Sequence, residues 1–548
     1  MRRILASFFA GLTGLLLSSS LLAQDPGITV PPGFQATVIA DEIGPARALA
    51  IRENGDIYVS LLRDVDLNYL CAMRDSDGDG IMDIIKYFGE IGSLVKSIQL
   101  YNGYLYVGAT TQVVRYPLSD DELLPTDTFE VIVDGFPTPR SHRSKNIDFD
   151  DDGNLYISAG APSNSCQEVD RTTNSPGKVP CEELVWGAGV WKFDANRPNQ
   201  KHLKDGELIA TGIRNAVAIQ WDSKKGELYT VSNGRDGLNQ NWGQFFNERE
   251  SAEKPAEEFQ MVRKGQDYGW PYAYWDHERK QHMLNPEYGG DGTIPAEEGL
   301  YDDPIYAFPG HWAPVGLQFY HGDQFPEKYR DGAFVAFHGS WNRAPLPQQG
   351  YNVVFVPFDG KYPSGEYEAF AEGFKGTEML MTPSAATYRP TGLTVGPDGS
   401  LYISEDRTGR IWKVQYTGNI QKISATATKP TANKTKTPQE VAFNPRGMEL
   451  YNQYCLACHQ LDGSGVPNMQ PSLLESTKLK NDPDHIIRLM LQGSDWIENR
   501  EYTNIMTTFA YLSDEAIAVV LNYSKARFAH MQPDITTEQV AAMRATLP

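Results

Sequence analysis

Residues 151–160 read DDGNLYISAG, a polar turn with a glycine followed by a short apolar–Tyr–apolar strand. The signature recurs as ENGDIYVS at 53–60, YNGYLYVGA at 101–109, KKGELYTVS at 224–232, RDGAFVAF at 330–337 and PDGSLYISED at 397–406. Each copy follows another short apolar strand, such as ALAI before the first and GLTV before the last. Strand, tight turn, strand, repeated at long intervals, predicts antiparallel sheets arranged radially. Six copies predict an all-β six-bladed β-propeller, with a sandwich or looser all-β array as the alternative. The aromatic anchors are Tyr58, Tyr106, Tyr156, Tyr229, Phe334 and Tyr402, and the wide gaps after Tyr156 and Tyr229 must hold loop insertions.

Upstream of the repeats, Arg2 and Arg3 precede an apolar run from Ile4 to Leu17 and small residues to Ala23. That layout predicts a secretory signal peptide over 1–23. An uncleaved anchor is the alternative, because Ile4 to Ala23 is just long enough to cross a bilayer, although Ser18–Ser20 weakens the run. No other segment reads as a membrane span, so the expectation is a bacterial periplasmic or secreted protein without a transmembrane segment after cleavage. The 548 residues exceed one ordinary domain, and 41% apolar with 22% charged residues is a globular mix. The net charge of −21 repels phosphate backbones and argues against nucleic-acid binding. Cys166 and Cys181 flank a polar loop and can pair in an oxidising compartment if their geometry permits; Cys71 reads as a buried thiol.

Composition changes at Gly418. The stretch 418–440 is rich in Thr, Ala, Lys and Pro and reads as a flexible linker, leaving 24–417 for the propeller. Residues 441–548 carry helical patterning, and Ser513-Asp514-Glu515 marks a helix start before Ile517, Val520 and Leu521 on one face. Cys455-Leu456-Ala457-Cys458-His459 is the Cys-x-x-Cys-His signature of covalent haem c, in which two thiols form thioethers and the histidine reaches the iron. A chance match or a zinc or redox Cys-x-x-Cys is the alternative, and the exported context, helical domain and immediate histidine favour haem. Met506 is the candidate for the opposite axial position, with Met469, Met490 and His485 as rivals. A thioether opposite an imidazole raises the potential, which suits an electron acceptor. This half resembles class I cytochromes c, an all-α fold, over about 100 residues, with Thr507 where that family carries proline after the ligand methionine.

A haem fused to an exported propeller needs an electron donor. No GxGxxG follows a strand, so a Rossmann cofactor is not expected. Propeller ligands bind where the inner strands converge. Arg47 stands 8 residues before Gly55, His142 stands 11 before Gly153, Arg214 with Asn215 stands 12 before Gly226, and Arg389 stands 10 before Gly399. Basic residues at comparable positions of four blades predict a pocket for a polyanion. Separately, Asp75-Ser76-Asp77-Gly78-Asp79-Gly80-Ile81-Met82-Asp83 is an EF-hand-like calcium loop, with Asp75, Asp77, Asp79, Ile81 and Asp83 as candidate ligands. Lys86 stands where a full EF-hand has glutamate.

The propeller resembles the exported quinoprotein sugar dehydrogenases of the L-sorbosone (aldose) dehydrogenase-like branch, which use pyrroloquinoline quinone (PQQ). The resemblance is carried by SHRSKNIDFDDDGNLYIS at 141–158, GIRNAVAIQW at 212–221, DYGWPYAYW at 267–275, HWAPVGLQFYHGDQFPEKYRDGAFVAFHGSWNR at 311–343 and RPTGLTVGPDGSLYISED at 389–406. It implies that Arg214, Asn215, Arg343 and Arg389, with Arg47, hold the PQQ carboxylates. It implies that His142 is the general base while hydride moves to the quinone; should the base lie elsewhere, His311 is the next candidate. It also implies a quinone-side Ca²⁺ on the backbone carbonyls of Gly234 and Arg235. The expected activity is oxidation of a sugar or related alcohol or aldehyde, with electrons passing to the fused haem and on to a downstream periplasmic acceptor. The alternatives are a metal-dependent lactonase-like hydrolase, which requires convergent carboxylates at the mouth, and a carbohydrate-binding propeller that carries an electron-transfer haem.

Overall fold

A computed structural model describes residues 26–143 and 145–418. In the C-terminal part it describes 445–455, 459, 463, 471–474, 476–494, 497, 506, 508–510, 512–529, 531 and 534–547. The expected signal peptide, the linker beyond Gly418, Cys458 and Met469 lie outside the described residues. The chain divides into two compact units, Met1–Lys422 and Ile423–Pro548.

The first unit is the six-bladed β-propeller. Its innermost strands are Ala46–Ile51, Val95–Tyr101, Lys145–Phe149, Ala216–Asp222, Pro314–Phe319 and Pro390–Val395. Each begins an antiparallel meander, and each packs against the innermost strand of the next blade, the sixth returning to the first. The sixth blade takes its outer strand from the start of the propeller, where Phe34–Ala40 pairs with Ile411–Tyr416 and Phe34 lies opposite Tyr416. That pairing closes the ring and leaves no open edge between its two ends.

The repeated signature explains the architecture. The turn before each second strand needs a left-handed residue, which glycine supplies at least cost, as at Gly153 (φ 88°); in the fifth copy Asp331 takes that conformation at φ 60°. Each aromatic anchor then fills the seam to the following blade. Tyr58 packs with Ile98 and Leu105, Tyr106 with Ile147 and Phe149, and Tyr229 with Leu317 and Phe319. Phe334 packs with Leu393 and Leu401, and Tyr402 closes the circle on Leu49 and Ile57. The hydroxyls stay satisfied, Tyr58 donating to Leu123 O at 2.8 Å and Tyr106 to Ala195 O at 2.9 Å. The wide gaps hold insertions, as expected. The first, between strands Asn154–Ala159 and Gly189–Asp194, is pinned by a Cys166–Cys181 disulfide, and Cys71 is a buried free thiol.

The second unit is helical, with Pro445–Tyr454, Thr477–Asn481, Pro483–Gln492, Asp514–Phe528 and Thr537–Thr546. Ser513 caps the fourth of these, its Oγ accepting from Ala516 N at 3.1 Å, and Ile517, Val520 and Leu521 are buried. Among the described residues no helix is long and apolar enough to cross a membrane.

Candidate functional site

The innermost strands run the same way about the axis, so their first residues ring one end of the channel. Five of the six carry a β-bulge in that first turn, between Ala46/Leu49, Val95/Ser97, Ala216/Ala218, Pro314/Gly316 and Pro390/Leu393. Bulges re-aim side chains. Arg47 and Lys96 are the second residues of their strands, and Asn215 and Arg389 immediately precede theirs.

A cavity of about 300 Å³ opens at this end, lined by His142, Arg214, Asn215, Asp236, Glu257 and His311, together with Arg171, Trp341 and Asn342. His142 has φ 50° and its Nδ1–H donates to Ala161 O at 2.6 Å, which leaves Nε2 as the lone-pair nitrogen. Burial, and then the nearby Arg214 cation, push the ring down to about 3, so it is neutral at ordinary pH. Gly160 lies against it: a Cβ there would stand 2.5 Å from His142 Cβ, so only glycine fits.

Arg214 is 5% exposed and is locked by four hydrogen bonds. Nε donates to Asn164 O (3.1 Å), Nη1 to Gly234 O (2.6 Å), and Nη2 to Asn164 Oδ1 (2.9 Å) and Asp236 Oδ2 (3.0 Å). Asp236 also accepts from Arg171 Nη2 (2.8 Å) and Asn342 Nδ2 (2.8 Å). Against the cost of burial, Arg214, His311 and Arg171 hold its carboxyl well below the usual range. Glu257 behaves oppositely. Burial pushes it up to about 8, although Ala313 N and Gly234 N both donate to it. His311 is buried, its Nε2–H donating to Ser251 O at 2.8 Å and Nδ1 accepting from Asn342 at 3.2 Å. Among the described residues His142 therefore has the uncommitted ring nitrogen and His311 does not.

The other side of the mouth is cationic. Arg47 donates to Asp406 Oδ2 at 2.8 Å, and His338 takes the second oxygen at 2.8 Å. Arg389 donates to His338 O (3.0 Å) and Gly339 O (2.6 Å), so the loop from His338 to Asn342 joins this cluster to the cavity. Lys96 completes it. Burial, then the neighbouring Arg47, push its ammonium down to about 8, with Asp406 acting the other way and Arg143 adding repulsion. Asp406 is already shared between Arg47 and His338, and Arg389 and Arg407 add further positive charge beside it. A bound polyanion relieves that repulsion, and the donor set fits PQQ carboxylates. Sequence reading passed over Lys96, although it stands second in Val95–Tyr101 just as Arg47 stands second in Ala46–Ile51.

Two expectations need correction. Arg343 does not line the cavity: it is 0% exposed, paired with Glu253 at 2.7 Å, and donates to Ala252 O and Pro347 O. Asn342, one residue earlier, is what the loop presents. The Gly234 carbonyl of the expected quinone-side cation site is already engaged. The Arg214 guanidinium occupies Gly234 O, and the buried Arg235 side chain, paired with Glu287, brings a second positive charge alongside. The loop after Asn68–Arg74 does fit a cation. Carboxylate oxygens of Asp75, Asp77 and Asp79 lie within 4.8 Å of one another, and Asp75 is oriented by Gly78 N and Gly80 N. Asp83 instead accepts from Ser76 N at 2.7 Å, and Ile81 is 41% exposed.

In the helical unit His459 donates Nδ1–H to Pro471 O at 3.0 Å, which directs Nε2 toward a ligand role. Cys455 and Met506 pack on one apolar cluster with Tyr454, Leu473 and Phe509, a lining suited to a porphyrin. Ser494 fixes the Met506 backbone, its Oγ accepting from Met506 N at 2.8 Å. Met490 is 2% exposed in the core and His485 lies in the first turn of Pro483–Gln492.

Comparison with known proteins places these sites in context. The TrAA12-like family model matches residues 28–417, and the Cytochrome c family model matches 445–525. A pyrroloquinoline quinone-dependent pyranose dehydrogenase of Coprinopsis cinerea is 28% identical over 241 residues, covering 38% of this chain and 31% of its own. Cytochrome c-552 of Thermus thermophilus is 31% identical over 111 residues, 18% of this chain and 84% of its own. The calcium structure of a Trichoderma reesei family AA12 carbohydrate-active enzyme shares the propeller fold, with a TM-score of 0.59 at 17% identity, over 73% of this chain and 99% of its own. The chain spans about half the length or less of the first curated relatives it matches.

Proposed function

The chain belongs to the TrAA12-like family, and on that premise we propose that it is an exported PQQ-dependent sugar dehydrogenase that passes its electrons to its own c-type haem. The observation that carries this reading is a neutral histidine with a free Nε2 at the mouth of a cation-rich channel. The lactonase alternative is disfavoured by the same mouth, where Asp236 is taken by two arginines and Glu257 is protonated below about pH 8.

Arg47, Lys96 and Arg389 would hold the carboxylates of PQQ, with Arg143 beside them. Asn215 and Arg214 line the wall next to His142. When bound, the quinone would supply two-electron, hydride-accepting chemistry. His142 Nε2 takes the hydroxyl proton, and the Nδ1–H bond to Ala161 O stabilises the charge the ring then carries. Asp236 holds the Arg214 guanidinium in place and lowers the cost of that charge. In the second unit, Cys455 and Cys458 would attach haem c, and His459 and Met506 would bind its iron. That haem supplies a one-electron carrier. The Asp75–Asp83 loop would hold a structural Ca²⁺ between the outer strands of the first blade.

The test is a titration of PQQ into cofactor-free full-length protein, followed by quenching of tryptophan fluorescence. Wild type should saturate, and Lys96→Met should bind about 10- to 100-fold more weakly, the worth of one charge-assisted contact. No saturable binding to wild type would reject the reading.

A further inference from the structure

Resting on the dehydrogenase reading, we propose that the substrate is a sugar bearing a carboxylate, and that Arg171 is the residue that receives it.

Arg171 comes from the insertion after Asn154–Ala159, and the loop is built to present it. The Cys166–Cys181 disulfide closes the base of the loop. Inside it, Gln167 Oε1 accepts from Arg171 N at 2.8 Å, while Gln167 Nε2 donates to Thr172 O and Ser175 O, both at 3.1 Å. Arg171 itself sits at φ 56°, a conformation that a non-glycine residue holds only when its surroundings impose it. Its side chain is 40% exposed and lines the same cavity as His142. One terminal nitrogen is engaged by Asp236 at 2.8 Å, and the remaining guanidinium donors have no hydrogen-bond partner among the described residues. Arg214, the other arginine of this cavity, is buried with four of its donors committed, so Arg171 is the accessible cation.

The distribution of charge around the mouth points the same way. On the far side Arg47, Lys96, Arg143, Arg389 and Arg407 gather around Asp406, an excess of positive charge suited to the carboxylates of PQQ. On the near side Arg171 and Arg214 both pair with Asp236, in a lining that also holds His142, His311 and Glu257. Arg171 keeps guanidinium donors on this side that no described residue takes up. A guanidinium with free donors in a half-buried site takes a carboxylate in preference to a neutral hydroxyl. The sugar acid is then oxidised as any pyranose: the C–H bond breaks with its electron pair leaving as hydride to the quinone, the O–H proton goes to His142 Nε2, and a C=O bond forms.

The experiment uses PQQ-loaded full-length enzyme and compares kcat/KM for glucuronate and galacturonate with glucose and galactose at low and high salt. The acids should be preferred about 10- to 100-fold at low salt, with the preference shrinking as salt rises. Arg171→Gln should collapse the acid-to-neutral ratio through KM, and Arg171→Lys should retain part of it. Preference for the neutral sugars, or a ratio that Arg171→Gln leaves untouched, overturns the assignment while leaving the dehydrogenase reading intact. Absence of turnover with every sugar instead overturns the dehydrogenase reading, and this proposal with it.

Discussion

His142 is fixed at three points that act on different atoms: its backbone at φ 50°, Nδ1 on Ala161 O, and Cβ against Gly160. His142→Ala should still bind PQQ yet lose roughly 10²–10⁴-fold in turnover, the usual worth of a general base. Burial pushes the ring down to about 3, so the competent neutral form is present above that value and is lost only as pH falls through it. The acid limb of kcat/KM assigned to this group should therefore lie well below 6.5, and a limb near 6.5 that vanishes in His142→Ala would contradict the geometry. The same depression makes the neutral ring stabilising above the unfolded value, with that contribution lost as pH falls from about 6.5 toward 3. At this scale the sequence was partly legible. Arg47, His142, Arg214 and Arg389 could be found by counting back from a turn glycine. Arg343 misled, because position in a motif does not say which way a side chain points, and Glu253 draws it into the interior. Asn164 and Asp236, which hold Arg214, carry no local signal, since their partners lie 50 and 22 residues away in sequence.

The blades were legible because a turn glycine and an aromatic anchor are both local and both repeat. The inserted loops were legible only as gaps, since contacts such as Trp270 Nε1 to Asn164 O at 3.0 Å join segments that share no pattern. The disulfide was an open question for the same reason and is settled by the approach of Cys166 and Cys181, whose Cα atoms are 6.2 Å apart. The acidic loop between Asn68–Arg74 and Ile84–Phe88 was readable from spacing alone, and its three converging carboxylates repel one another unless a cation joins them. Calcium at 100 times its Kd should stabilise the protein by about 2.7 kcal/mol by mass action. Asp77→Ala with Asp79→Ala should abolish most of the calcium-dependent rise in Tm. An equal response in mutant and wild type would remove the site.

Across the whole molecule, the two units divide the chemistry that each makes legible. The propeller has a cation-rich mouth beside His142, the proposed base, and the helical unit has Cys455, His459 and Met506, the proposed haem-binding side chains. On the proposed function, their presence in one chain of 548 residues would couple sugar oxidation to electron delivery. The −21 net charge adds a second consequence: an acidic protein repels acidic acceptors, so the downstream electron carrier is expected to present a basic face, and reduction of such a carrier should slow as salt rises. The most direct test of the account is rapid mixing of sugar with the full-length protein while the haem absorbance is followed, with and without PQQ. Haem reduction that requires PQQ and slows in His142→Ala is the predicted result. Haem reduced by sugar equally fast in protein confirmed to be free of PQQ would contradict it.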